Sequence, residues 1–167
     1  MAEKQYPRSV ISILVENHYG VLARIASMFN RRSFNIDSIA ASETIDPGIT
    51  RITITVHADQ NTLKQMLLQT ERLEEVKKVF VLDSNSLQRE LLLIKVGCDP
   101  KKLPALRDIA GVYNAKIIDL SPESLVMELT GKPEKIDGFL KMFGNYNVLE
   151  MCRTGVTALN RESKKRR

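Results

Sequence analysis

Apolar and polar positions alternate along Ser9–Glu16 (SVISILVE), with Ile11, Ile13 and Val15 on one side and Val10, Ser12 and Leu14 on the other. A period of two predicts a strand. The period then changes. After the polar loop Glu16-Asn17-His18-Tyr19-Gly20, apolar residues recur at Leu22, Ile25, Ala26 and Phe29, which predicts a helix over Val21–Arg32. Ile36–Thr44 reads as a second strand, and Asp46-Pro47-Gly48 as a turn, since proline presets φ and glycine accepts a positive one. Ile49–His57 (ITRITITVH) is the clearest strand of the chain. Asp59 or Asn61 caps a helix carrying Leu63, Met66, Leu67 and Thr70, and Val76–Leu82 is a fourth strand.

Asp83-Ser84-Asn85-Ser86 contains no apolar residue and marks a boundary. The pattern then repeats. Strands are predicted over Leu87–Gly97, Ala115–Leu120, Leu125–Gly131 and Val148–Thr154. Helices are predicted over Pro100–Tyr113 and from Pro133 through Ile136, Phe139, Leu140 and Phe143. The two halves share one element order at a spacing of about 75–80 residues, which is a repeat of architecture with few identities. The expected fold class is α+β, two consecutive ferredoxin-like βαββαβ domains. The expected divisions are 1–84, 85–160 and a basic tail at 161–167, taken as disordered. One sheet face of each half, in the first half Val10, Ser12 and Leu14 beside Arg51, Thr53 and Thr55, is expected to lie open. With Val76–Leu82 as a possible edge strand, that face suggests a homodimer.

Charge narrows the picture. The net charge of +5 is carried mostly by RESKKRR, residues 161–167, so the body of the chain is close to neutral. An RNA-recognition motif shares the β-α-β-β-α-β order but stacks bases on aromatics of its central strands. SVISILVE and ITRITITVH contain no Phe, Tyr or Trp, and neither do LLLIKV and LVMELTG. Nucleic acid is therefore not an expected partner. No apolar run reaches the roughly 18 residues a membrane span requires, and MAEKQYPRS lacks a signal-peptide core, so a cytoplasmic protein is expected. Cys98 and Cys152 lie far apart and outside any CxxC, which predicts buried, reduced thiols with no disulfide and no metal site.

Catalytic signatures are absent. The chain has no P-loop, no H-E-x-x-H, no G-x-S-x-G and no G-x-G-x-x-G, and its only histidines are His18 and His57. No enzyme is expected. One place does suggest a ligand. A strand, a glycine-containing loop and a helix start coincide at Glu16–Leu22. The first N–H groups of a helix have no partner within it, the dipole adds positive character, and Gly20 lets an anion approach the backbone.

The stretches VENHYGVLARIASMFNRRSFNIDSI, DPGITRITI, QRELLLIKV, AKIIDLSPESLVMELTG, PEKIDGF and RTGVTALNR, in this order from about Ser9 to Arg161, resemble the small regulatory subunit of acetohydroxyacid synthase (acetolactate synthase). The first half resembles its ACT domain. The resemblance implies a non-catalytic partner of a large subunit that carries thiamine diphosphate, Mg and FAD, with no cofactor in this chain. It implies activation of that subunit and feedback inhibition by a branched-chain amino acid, usually valine. A free-standing ACT-type sensor with another client is the alternative. It also implies that ACT domains pair side by side, with effector held between them. By position, Asn17, Gly20, Val21 and Leu22 match the effector loop, and Asn35 and Ile36 match the segment reaching it from the second subunit. Valine's carboxylate suits the N–H groups at Gly20–Leu22, its ammonium the Asn17 carbonyl, and its side chain Val21, Leu22 and Ile36. Ser33 stands where the family usually has glycine, a position that favours the left-handed conformation.

Overall fold

A computed structural model describes residues 6–161. The contacts divide the chain into two units. The first runs to Leu87 and resumes at Val156, and the second is Gln88–Gly155.

The first unit contains β1 (Arg8–Glu16), α1 (Val21–Arg31), β2 (Ser38–Glu43), β3 (Ile49–His57), α2 (Gln60–Glu71) and β4 (Val76–Val81). Its sheet runs β2-β3-β1-β4, with every neighbour antiparallel. Register follows the alternation. Ile11 lies opposite Ile54 and Ile13 opposite Ile52, so one face is continuous apolar surface. Val21, Ile25 and Phe29 of α1 and Met66 of α2 bury that face.

The apolar stripe of α1 differs from the expected one. Val21, Ile25, Met28 and Phe29 are buried, while Leu22 and Ala26 are exposed. Both sets repeat at helical spacing. Met28 takes the interior place expected of the smaller Ala26, and Val21 rather than Leu22 faces the core, so Leu22 is left near the loop. α2 begins where its cap predicts: Asp59 Oδ1 accepts from the N–H groups of Asn61 and Thr62, both at 2.9 Å.

The opposite sheet face is not open as expected. Ser12 and Thr55 are fully buried, and Thr53 and Val10 nearly so. Val10 and Leu82 join Val156 and Ala158 in an apolar cluster, with Phe80 packed against it. Those last residues flank and enter β9 (Thr157–Leu159), at the end of the chain. The buried hydroxyls are paired: Ser38 and Thr55 lie 2.6 Å apart, and Arg51 donates to Ser12 at 3.3 Å. Residues 156–160, grouped by sequence with the second half, thus pack with the first. Of the basic tail, Arg161 donates Nε to the Asn85 carbonyl at 3.0 Å. The remainder, 162–167, lies outside the described residues.

The second unit repeats the plan with β5 (Leu87–Gly97), α3 (Leu103–Tyr113), β6 (Lys116–Leu120), β7 (Ser124–Gly131), α4 (Pro133–Lys141) and β8 (Val148–Arg153). Its strands run β6-β7-β5-β8, the order of the first sheet. α3 starts three residues later than expected, because Asp99 folds the preceding segment into a turn, accepting from Lys101 through Oδ1 and from Lys102 through its carbonyl. Leu92, Ile94, Leu106, Leu125, Met127 and Phe139 fill this core; Cys98 is buried in it as expected, whereas Cys152, also expected to be buried, is exposed on the edge strand β8. Beside it, Arg153 makes two hydrogen bonds to buried Glu90, at 2.6 and 3.1 Å, and one to Asp137 at 2.9 Å. The hydrogen bonding to Glu90 raises the Arg153 pKa above its usual value.

Both first helices stop in the same way. Ser33 has φ 55° and Asn114 has φ 55°. After α1, Ser33 donates to Asn30 O and Phe34 to Phe29 O. After α3, Asn114 donates to Gly111 O and Ala115 to Ala110 O. This paired pattern closes a helix around one left-handed residue. Glycine suits that residue best and asparagine is tolerated, whereas serine carries the strain.

Candidate functional site

The loop between β1 and α1 is tied to the turn between β2 and β3. Asn17 N donates to Gly48 O at 2.8 Å, and its side-chain amide donates to Pro47 O at 2.9 Å and Glu43 Oε1 at 3.1 Å. The turn is itself braced, since Asp46 Oδ1 accepts from Gly48 N at 2.9 Å. The proline-glycine turn of the sequence therefore acts as the anchor of Asn17. With both amide protons engaged, Asn17 Oδ1 is left without a donor among the described residues, which suits it to accept from an ammonium group.

Gly20 is the N-cap of α1, with φ 84°, a conformation that L side chains rarely adopt. No side chain caps the first turn and no acidic residue lies in it. This contrasts with α2, where Asp59 supplies the acceptor. Among the described residues no side chain therefore caps the positive pole of α1. Leu22 is 47% exposed beside it. Val21 is buried in the core, so its side chain is not available as a ligand wall, and only its N–H remains to offer.

An ion pair lies beside the loop. Glu16 pairs with Lys77, and with His18 at 3.3 Å, and the hydrogen bond from Lys77 holds its carboxyl below the usual value.

Asn35 and Ile36 lie beyond the other end of α1. Asn35 is exposed, and Ile36 is half-buried against the core beside Phe34. An eleven-residue helix separates them from Gly20, a rise of roughly 16 Å. Within one chain the two sets do not converge. Glu43 and Pro47 hold the loop, although neither was expected at the site. Glu43 is 26 positions from Asn17, and only the register of β2 on β3 brings it there.

Among the described residues no group of three His, Cys, Asp or Glu side chains could hold a metal. Among them, too, no helix is long and apolar enough to cross a membrane.

Comparison with known proteins agrees along the chain. Residues 11–78 match the model of the AHAS small subunit-like ACT domain, and residues 89–162 match that of the small subunit of acetolactate synthase. The chain is 37% identical over 158 residues to a probable acetolactate synthase small subunit of Archaeoglobus fulgidus, covering 95% of this chain and 99% of that one. It is 38% identical over 156 residues to the acetolactate synthase small subunit of Mycolicibacterium smegmatis, covering 93% and 92%. The crystal structure of the small subunit from Thermotoga maritima superposes with a TM-score of 0.85 at 37% identity, covering 94% and 99%.

Proposed function

The chain belongs to the acetolactate synthase small-subunit family, a non-catalytic regulatory subunit whose partner is a large catalytic subunit, and from that premise we propose that it activates the large subunit and confers feedback inhibition by a branched-chain amino acid, valine in the first instance. In this reading the chain holds no cofactor, and thiamine diphosphate, Mg and FAD reside on the large subunit.

The observation that carries the feedback part is the uncapped start of α1 beside Asn17 Oδ1 and exposed Leu22. Free valine has a carboxylate, an ammonium and a small apolar side chain. The carboxylate meets the N–H groups at Gly20–Leu22, the ammonium meets Asn17, and Leu22 lines the side chain. The helix length between Gly20 and Asn35 supports a site shared between two chains. One supplies Asn17 and Gly20–Leu22, and a second supplies Asn35 and Ile36 across a homodimer of first units. β2 and β4 are the sheet edges at which such a pair can form. Ligand and pairing are then linked, and valine biases the enzyme by its differential affinity for two arrangements. The match at 89–162 favours this reading over a free-standing ACT-type sensor.

The test is reconstitution with the cognate large subunit. The chain alone makes no acetolactate from pyruvate. Adding it raises large-subunit activity, and valine lowers that activity in the complex. Synthase activity from the pure chain, or no activation on mixing, overturns the proposal.

A further inference from the structure

A groove between α1 and α2 is lined by Arg24, Met28, Arg31, Arg32, Arg72 and Leu73, with Gln69 at its side. Its volume, about 470 Å³, lies within the usual range of small-molecule sites. Arg24 is held by buried Glu75. Arg31, Arg32 and Arg72 form no ion pair among the described residues. Helix dipoles favour cations at helix ends, and Arg31 and Arg72 do sit at such ends. That preference accounts for each arginine singly and not for a depression whose lining includes both, together with Arg24 and Arg32. The polar lining is all arginine and glutamine, with no lysine and no carboxylate. Guanidinium groups bind carboxylate and phosphate oxygens in pairs of parallel hydrogen bonds. Met28 and Leu73 add apolar surface for the body of a ligand.

We propose that this groove binds a small molecule bearing two or more anionic groups, phosphates or carboxylates on neighbouring atoms. Three guanidinium groups that no carboxylate of the described residues occupies, lining one groove, suit a ligand with that much opposite charge. The groove is separate from the Asn17–Leu22 loop, and the proposal does not rest on the valine reading.

The test is calorimetry on the full chain at low salt, with inorganic pyrophosphate and citrate as separate probes. One site per chain is expected for at least one probe, weakening as salt is added. Preference for pyrophosphate assigns phosphate chemistry, and preference for citrate assigns polycarboxylates. R31A/R72A should lose at least tenfold in affinity, and R31K/R72K, which keeps charge without the paired donors, should fall between. Lys64→Ala, on α2 outside the groove, should bind like the parent. All these side chains are exposed, so the variants should melt with the parent. The proposal is overturned if the parent binds neither probe, if R31A/R72A binds unchanged, or if Lys64→Ala loses as much.

Discussion

Phe34 donates its backbone N–H to the Phe29 carbonyl at 3.0 Å, and the two rings meet edge to face with centroids 5.9 Å apart. Polar and apolar halves of one helix stop are thus made by the same pair, and Ser33 between them is forced to φ 55°. Ser33→Gly should relieve that strain and stabilise the chain by about 1 kcal/mol, the left-handed penalty less the backbone entropy glycine adds to the unfolded chain. Ser33→Val should destabilise. Thermal denaturation of the two variants checks both signs, and a lower midpoint for Ser33→Gly would contradict the argument.

Asn17→Ala should weaken valine binding. It removes the Oδ1 acceptor and also releases the loop from Glu43 and Pro47. Loss of one hydrogen bond to a charged ligand corresponds to roughly 1–3 kcal/mol. Gly20→Ala and Gly20→Asp separate two causes. A Cβ at Gly20 meets no atom within 4 Å, so alanine tests the φ 84° strain and aspartate adds repulsion toward a carboxylate. Valine titrations should rank Gly20→Asp below Gly20→Ala, and equal affinities would place the anion elsewhere.

Much of this was legible in the sequence. Alternation in ITRITITVH determined a strand whose bounds match, and Asp59 announced its helix. Three things were not. Ser12, Thr53 and Thr55 read as an exposed face because serine and threonine are usually solvated. Thr55 is paired with Ser38 and Ser12 with Arg51 across the sheet, and on the same face Val10 is covered by a segment more than seventy residues past β4. The stripe of α1 was right at Ile25 and Phe29 and wrong at Leu22 and Ala26, since two overlapping apolar sets satisfy the same period. In the candidate site, the loop was visible through Gly20, but its anchor at Glu43 was not. Such contacts are properties of register, which local pattern does not encode.

Glu90 is buried and its carboxylate depends on Arg153. Arg153→Met should cost about 3 kcal/mol, because it leaves a buried charge without its partner. Glu90→Gln, which keeps an acceptor, should cost less. Urea denaturation of each variant checks the order, and a milder loss for Arg153→Met would refute it.

The N–H groups of Thr62 and Asn61, with the Thr62 hydroxyl, hold the Asp59 carboxyl below its usual value. A carboxyl lowered on folding contributes stability above its unfolded pKa, and that contribution is lost as pH falls through the folded one. Parent and Asp59→Ala should therefore differ in melting midpoint at neutral pH and converge under acid. A gap that persists below the folded pKa would show that the cap does not act through its charge.

A fragment ending near Ser84 lacks Val156 and Ala158, so it should melt below the full chain while still pairing. Ala158→Asp in the full chain should reproduce part of the loss. Light scattering and thermal melts read these separately. A fragment as stable as the parent would remove the closing segment from the first unit's stability.

That closing segment also sets a clock. Val10 and Leu82 share a buried cluster with Val156 and Ala158, so the cover for these two residues is synthesised well after them. At ribosomal rates, the interval between Leu82 and Val156 lasts from roughly 4 to 15 s. Throughout it, the nascent amino-terminal unit shows a greasy seam to chaperones and to neighbouring chains. A transcript cut short after Gly131 would release a polypeptide whose defect lies at the end opposite the break.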